Sequence, residues 1–205
     1  MNIKSLCPIP LGITNIGRAF SKEEMSTFLT ELESLTSNVG NSNSVNTRVL
    51  ELPVLAPLKE QLLNEVNNFI QTVNPPKADK NIKFYITQSW LNVSGTGEWH
   101  HSHIHVNSIV SGVLYINVKD NVDSISFMRK EGLFGNIAYF SEKETDYNLF
   151  YNKVPVTKGT LVLFPSTTEH YVDFNKETHK RISLSFNVFL TGTLGTEESL
   201  TRLDL

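Results

Sequence analysis

Cysteine is nearly absent from this chain: Cys7 is the only one in 205 residues. An internal disulfide is thereby excluded, and so is any metal site built from thiolate clusters. A bound cation would have to be held by His, Asp or Glu. The same scarcity fits a reducing compartment, so we expect a cytoplasmic protein. Long apolar runs are missing as well. None approaches the ~20 residues that cross a bilayer, and the first twenty residues, which include Lys4 and Arg18, hold no apolar stretch of signal-peptide length. Charge is modest at 19% with a net of -3, which speaks against nucleic acid and against an anionic membrane surface as partners. At 40% hydrophobic residues the chain can bury one substantial core, and we expect a single domain over residues 1–205.

Histidine is scarce too, with six in all, but it is not scattered. Four lie within Glu98-Trp-His-His-Ser-His-Ile-His-Val-Asn-Ser108, and the other two, His170 and His179, share one later segment. The apolar residues in and after the first run read as β-strand, along which alternate side chains share a face. His101, His103 and His105 then point the same way. Same-face neighbours are ~7 Å apart at the backbone, close enough for two imidazoles to meet at one metal ion. The spacing alone does not choose among His101 with His103, His103 with His105, and His105 with Asn107.

Around this run the chain divides by pattern. Residues 1–80 read as a helix-rich support: an opening strand within residues 1–20, then a helix begun by a capping box of Ser21 and Glu24 with Met25, Phe28, Leu29 and Leu32 as its stripe. Residues 36–47, rich in Ser, Asn and Thr, read as an exposed loop, and residues 49–52 as a short strand. Pro57 opens a second helix striped by Leu58, Leu62, Val66, Phe69 and Ile70. From residue 82 to 190 the pattern turns to short β runs at 82–91, 108–118, 124–128, 161–164 and 181–189, separated by Gly, Asn and Asp. That is the signature of a jelly roll. The fold class expected is mainly β with helical N-terminal support: a double-stranded β-helix, cupin-like. Residues 132–151, aromatic and charged without a clear period, read equally as a pocket-facing lid or as an extra hairpin. Residues 191–205 read as a polar tail.

The later segment adds a second half to the site. A strand and turn lead to His170, and a return strand opens with Arg181-Ile-Ser183, whose first and third side chains share a face. A guanidinium fork beside a hydroxyl makes a receptor for a carboxylate. Gly97-Glu-Trp-His-His-Ser-His103-Ile-His105, Ser111-Gly-Val-Leu-Tyr115-Ile-Asn117, and His170 with Arg181 together resemble the iron(II)- and 2-oxoglutarate-dependent oxygenases of the prolyl-hydroxylase-like branch. With Ser89-Trp90-Leu-Asn92 and Arg-Ile-Ser-x-Ser-Phe-Asn included, the chain resembles more closely such oxygenases found in bacteria and their tailed phages. The resemblance covers residues 82–190 best and implies Fe(II) and 2-oxoglutarate as cofactors. It also implies His103, His105 and His170 as metal ligands, and Arg181 with Ser183 and Tyr115 around the distal carboxylate of 2-oxoglutarate.

The activity implied is hydroxylation of an unidentified substrate with dioxygen, releasing succinate and carbon dioxide. A peptide or protein side chain is the favoured substrate class, in the host cytoplasm if the chain is phage-encoded. Trp90, Asn92, Trp99 and residues 132–151 become candidates for the pocket wall, His100 and His179 remain surface or supporting residues, and a homodimer is left open. His105 departs from the resemblance, because most of that superfamily has Asp or Glu there. Three neutral imidazoles leave the charge of the cation uncompensated until a dianion binds. Two other readings keep the scaffold: a cupin-like three-histidine metalloenzyme that needs no 2-oxoglutarate, and a non-catalytic binding or virion-associated module.

Overall fold

The computed structural model describes residues 1–6, 8–129, 141–145 and 147–205. Its N-terminal part supplies the backing for one sheet. Strand β1 (Gly12–Asn15) precedes helix α1 (Lys22–Glu31). The helix starts where the sequence places it: the Ser21 hydroxyl accepts the Glu24 N–H, and the Glu24 carboxylate accepts the Ser21 N–H at 2.7 Å. Such a cap is worth ~1 kcal/mol. Arg18 also clamps Glu24 at 2.7 Å and, as the largest influence, holds its carboxyl below the usual range.

Residues 36–47 are not simply an exposed loop. They contribute to a short hairpin, β2 (Leu35–Ser37) and β3 (Ser42–Ser44), in which Asn41 and Ser44 are buried. Polarity misleads here because the Ser44 hydroxyl accepts the Leu91 N–H at 3.0 Å, so a hydrogen bond rather than an apolar contact anchors the segment. The strand expected at 49–52 is likewise replaced, by two successive 3₁₀ turns at Val49–Glu51 and Pro53–Leu55. Val49 and Leu50 are fully buried, the Leu50 N–H is taken by the Ser89 hydroxyl at 2.8 Å, and Pro53 has no N–H for a ladder. Helix α2 (Ala56–Val73) follows, with Leu58, Leu62, Val66 and Ile70 as its buried stripe.

The remaining strands are β4 (Lys83–Ser94), β5 (His100–His103), β6 (Val110–Asn117), β7 (Ser124–Met128), β8 (Tyr151–Pro155), β9 (Thr160–Pro165), β10 (His170–Val172) and β11 (Arg181–Thr191). A two-strand ribbon, β12 (Thr193–Leu194) with β13 (Leu203–Asp204), occupies part of the expected tail. One sheet runs β1-β9-β6-β11-β4-β3-β2 and the other β5-β10-β7-β8, with every strand pairing antiparallel. From β4 to β11 the chain passes back and forth between the two sheets. That winding makes a double-stranded β-helix.

Period-two alternation divides the larger sheet into two environments. Ile182, Leu184, Phe186 and Val188 of β11 join the helices in one core, with Leu62, Val66 and Leu114. The intervening residues of β11, Arg181, Ser183, Ser185 and Asn187, turn toward the space between the sheets, where Val113, Tyr115, Phe127, Val162 and Phe164 form a second, smaller core. Of the segment 132–151, residues 132–140 and 146 lie outside the described residues. Its last residue opens β8, which pairs with β7 as a hairpin. Cys7 also lies outside them. No helix among the described residues is long and apolar enough to cross a membrane.

Candidate metal centre

Strand β5 ends at His103, and His103 lies directly opposite His170, the first residue of β10. The chain leaves the strand before His105, so three same-face histidines on one strand are not what the structure contains. His105 is pinned instead by its N–H, which donates to the Ser166 carbonyl at 2.9 Å. The three imidazoles still meet: ring centroids are 4.3 Å apart for His103 and His170, 5.0 Å for His103 and His105, and 5.2 Å for His105 and His170. One nitrogen from each lies within 4.8 Å of the others.

Hydrogen bonding fixes which nitrogens these are. His103 Nδ1 lies 2.8 Å from the His101 carbonyl and His170 Nδ1 lies 3.0 Å from the Thr168 carbonyl. A carbonyl only accepts, so both Nδ1 atoms carry the proton and both Nε2 atoms carry a lone pair. His105 Nε2 is 3.4 Å from His170 Nε2. Burial keeps the rings neutral: it is the main cause lowering His103, and it takes His105 to about 4 and His170 to about 2, with the neighbouring imidazoles adding to the effect. A set of neutral nitrogen donors, two of them with tautomers fixed by main-chain carbonyls, is donor chemistry a divalent iron accepts.

A pH dependence follows. The unfolded imidazoles bind protons near 6.5, whereas folded His105 does so only near 4 and His170 near 2, and His103 is lowered as well. Between pH 6.5 and about 4 the unfolded state therefore holds more protons, and stability falls as pH falls. The melting temperature of metal-free protein should drop steadily across that window, and Fe(II) should reduce the drop. A flat profile would mean the cluster is not buried in its neutral form.

Of the two roles expected for His100, surface or supporting, its contacts fit the supporting one. His100 stacks on His103 at 4.5 Å, its Nε2 lies 3.3 Å from the Asn38 amide nitrogen, and burial takes it down to about 3. With His101 and His103 it forms a second group whose ligand atoms converge. His103 is common to both groups. Asn107 is exposed, beyond the strand in a left-handed turn at φ 54°. Trp90 packs on His105 at 5.7 Å and donates to the Asn92 side chain, which donates to Ser185, so both residues do line the interior. Trp99 packs elsewhere, on Phe174 at 5.6 Å.

At the other end of the interior, Arg181 is buried rather than engaged in a surface ion pair. Its Nη1 lies 3.4 Å from Asp123 Oδ1, and its Nη2 donates to the Asp173 carbonyl at 3.1 Å. Ser183 sits opposite Tyr115 on one side and Asn92 on the other. The Tyr115 hydroxyl is buried without a hydrogen-bond partner among the described residues. Burial pushes its ionisation up, against a smaller opposing pull from Arg181. An orphaned hydroxyl near a buried guanidinium is what a carboxylate ligand would satisfy. Sequence reasoning missed Asp123, which read as one more turn residue; the Nε2 of His179, expected as a surface or supporting residue, lies 2.7 Å from Asp123 Oδ2.

The chain's double-stranded β-helix is shared by solved structures at low sequence identity. It matches a 2OG-Fe(II) oxygenase family oxidoreductase from Burkholderia pseudomallei at TM-score 0.56 and 11% identity, over 87% of this chain and 83% of that one. HygX from Streptomyces hygroscopicus, solved with nickel and 2-oxoglutarate bound, matches at 0.57 and 12% identity over 88% and 82%. A prolyl hydroxylase from Trichoplax adhaerens, solved with a hypoxia inducible factor peptide fragment, matches at 0.57 and 15% over 87% and 83%. By sequence, no curated protein matches. Residues 88–187 match the family model for 2OG-Fe(II) oxygenases. Over that stretch the chain is similar to a family named for Fe(II) and 2-oxoglutarate.

Proposed function

We propose that the chain is a dioxygenase that hydroxylates its substrate, with His103, His105 and His170 holding Fe(II) and Arg181, Ser183 and Tyr115 receiving the distal carboxylate of 2-oxoglutarate. The observation that carries this reading is the convergence of three imidazoles, two of which have their other nitrogen committed to a carbonyl. Bound together, metal, 2-oxoglutarate and dioxygen supply the oxidation: the oxo acid is decarboxylated to succinate and carbon dioxide while a C–H bond of the substrate is hydroxylated.

The chain's own residues bind, orient and exclude water. The carbonyls of His101 and Thr168 lock the two ring orientations, so the donors stand ready before the metal arrives. Arg181, fixed at the start of β11, sets the direction in which the co-substrate lies. Val113, Phe127, Val162 and Phe164 keep the surroundings apolar, which strengthens each charge interaction there. The reading takes a peptide or protein side chain as the primary substrate.

The test is anaerobic addition of Fe(II) followed by 2-oxoglutarate. A visible absorption band should arise only when both are present, and its titration should saturate at one equivalent of iron per chain. Folded protein that binds iron yet gives no band would overturn the co-substrate assignment.

A further inference from the structure

Asp123 has no part in the proposed site, although its placement is unusual. Its side chain is 3% exposed, which is costly for a carboxylate unless every oxygen is engaged. Oδ2 takes two short hydrogen bonds, from the Lys119 backbone N–H at 2.8 Å and from His179 Nε2 at 2.7 Å. Oδ1 faces only Arg181 Nη1, at 3.4 Å, well beyond the ~2.8 Å of a fully formed charge-assisted bond. Asp123 is thus held firmly through one oxygen by the β6–β7 turn and by His179, while its other oxygen touches the guanidinium loosely. Arg181 is itself 7% exposed on its side chain, and its second terminal nitrogen is tied to the Asp173 carbonyl. Asp123 is the only carboxylate among the described residues that pairs with it.

We propose that Asp123 is a resident counter-ion of Arg181, and that 2-oxoglutarate binds by exchange. The distal carboxylate takes the guanidinium from Oδ1, while Oδ2 stays on Lys119 and His179. This rests on the reading that Arg181 receives that carboxylate. Two consequences have opposite signs. Asp123 stabilises the ligand-free pocket by compensating a buried cation, and it weakens co-substrate binding because two carboxylates must share one guanidinium. His179 moderates the contest by drawing the charge of Asp123 toward Oδ2.

Asp123→Asn keeps the shape and an acceptor oxygen and removes the charge. In Fe(II)-loaded protein without dioxygen, followed by calorimetry, the Kd for 2-oxoglutarate should fall about tenfold. The Kd for pyruvate, a 2-oxo acid without the distal carboxylate, should not change. The melting temperature of ligand-free protein should fall by a few degrees. His179→Ala, at a partly exposed side chain, removes a hydrogen bond from Oδ2 and should weaken 2-oxoglutarate binding about threefold, again without effect on pyruvate. Weaker or unchanged 2-oxoglutarate binding in Asp123→Asn overturns the proposal, as does an equal change for pyruvate or an effect of the same sign in both variants. Arg181→Ala separates this outcome from the reading beneath it. If that variant keeps its 2-oxoglutarate affinity, the co-substrate assignment itself has failed, whatever Asp123→Asn does.

Discussion

Replacing His170 with alanine should lower Fe(II) affinity by more than ~100-fold and remove turnover, while leaving the secondary structure in place. Losing a group that merely orients a metal-bound histidine costs roughly 10–100-fold in affinity, and losing a ligand should cost more. His170 stands at the centre of the cluster: it lies opposite His103 in the β5–β10 pairing, 3.4 Å from His105 through Nε2, and is only 3% exposed. Its ring also packs on Phe164 at 4.6 Å, so the variant will melt lower as well, and circular dichroism must accompany the metal titration. His101→Ala is the informative partner. It belongs to the overlapping group of His100, His101 and His103, and should cost little if iron sits with His105 and His170. If His101→Ala loses the metal and His170→Ala keeps it, the cation occupies the other group and the ligand assignment is wrong.

Much of this site was legible because its residues are rare and their types chemically committed. Six histidines in two short segments, with an Arg-x-Ser pair on a strand, leave few explanations. Tertiary pairing, however, brings His170 to His103, and spacing alone could not have selected His105 over His101. The strand ends two residues early, and a single main-chain bond from His105 to Ser166 does what strand alternation was expected to do. Asp123 was invisible for a different reason. An aspartate in a run of Lys, Asp, Asn and Val reads as turn chemistry, and its burial depends on β11 passing over it with Arg181.

The fold shows the same division. Strands β4, β6, β9 and β11 were readable because each carries apolar residues on the face toward the helices, a pattern that survives in one dimension. Strand β8 was not, since Val154 is its only buried residue. The β2–β3 hairpin contains almost no apolar residue and is held by side-chain hydrogen bonds, which periodicity does not register. The residues at 49–51 are apolar enough for a strand, but Pro53 and the Ser89 hydroxyl favour the 3₁₀ turn instead. Where burial is apolar and periodic the sequence is explicit, and where burial is satisfied by hydrogen bonds it is silent.

Gly112→Ala should destabilise the protein by about 3 kcal/mol and lower its melting temperature by about 10 °C, without altering any residue of the histidine cluster. Gly112 lies directly opposite Phe186 on the neighbouring strand, and a Cβ there would fall 2.1 Å from the Phe186 ring carbon Cζ and 2.6 Å from both Cε atoms. Phe186 is fully buried in the helix-side core, so its ring has nowhere to retreat without displacing other side chains. Strand alternation puts Gly112 on that face and Tyr115 on the other. The Ser-Gly-Val-Leu-Tyr run thus serves two surfaces at once: the glycine admits an aromatic ring to the core, and the tyrosine offers its hydroxyl to the interior site. Phe186→Leu on the Gly112→Ala background should recover part of the loss by making room for the methyl group. Thermal melts of the two variants check this, and a Gly112→Ala protein that melts with the wild type would show that the close approach of Phe186 is not what requires glycine at that position.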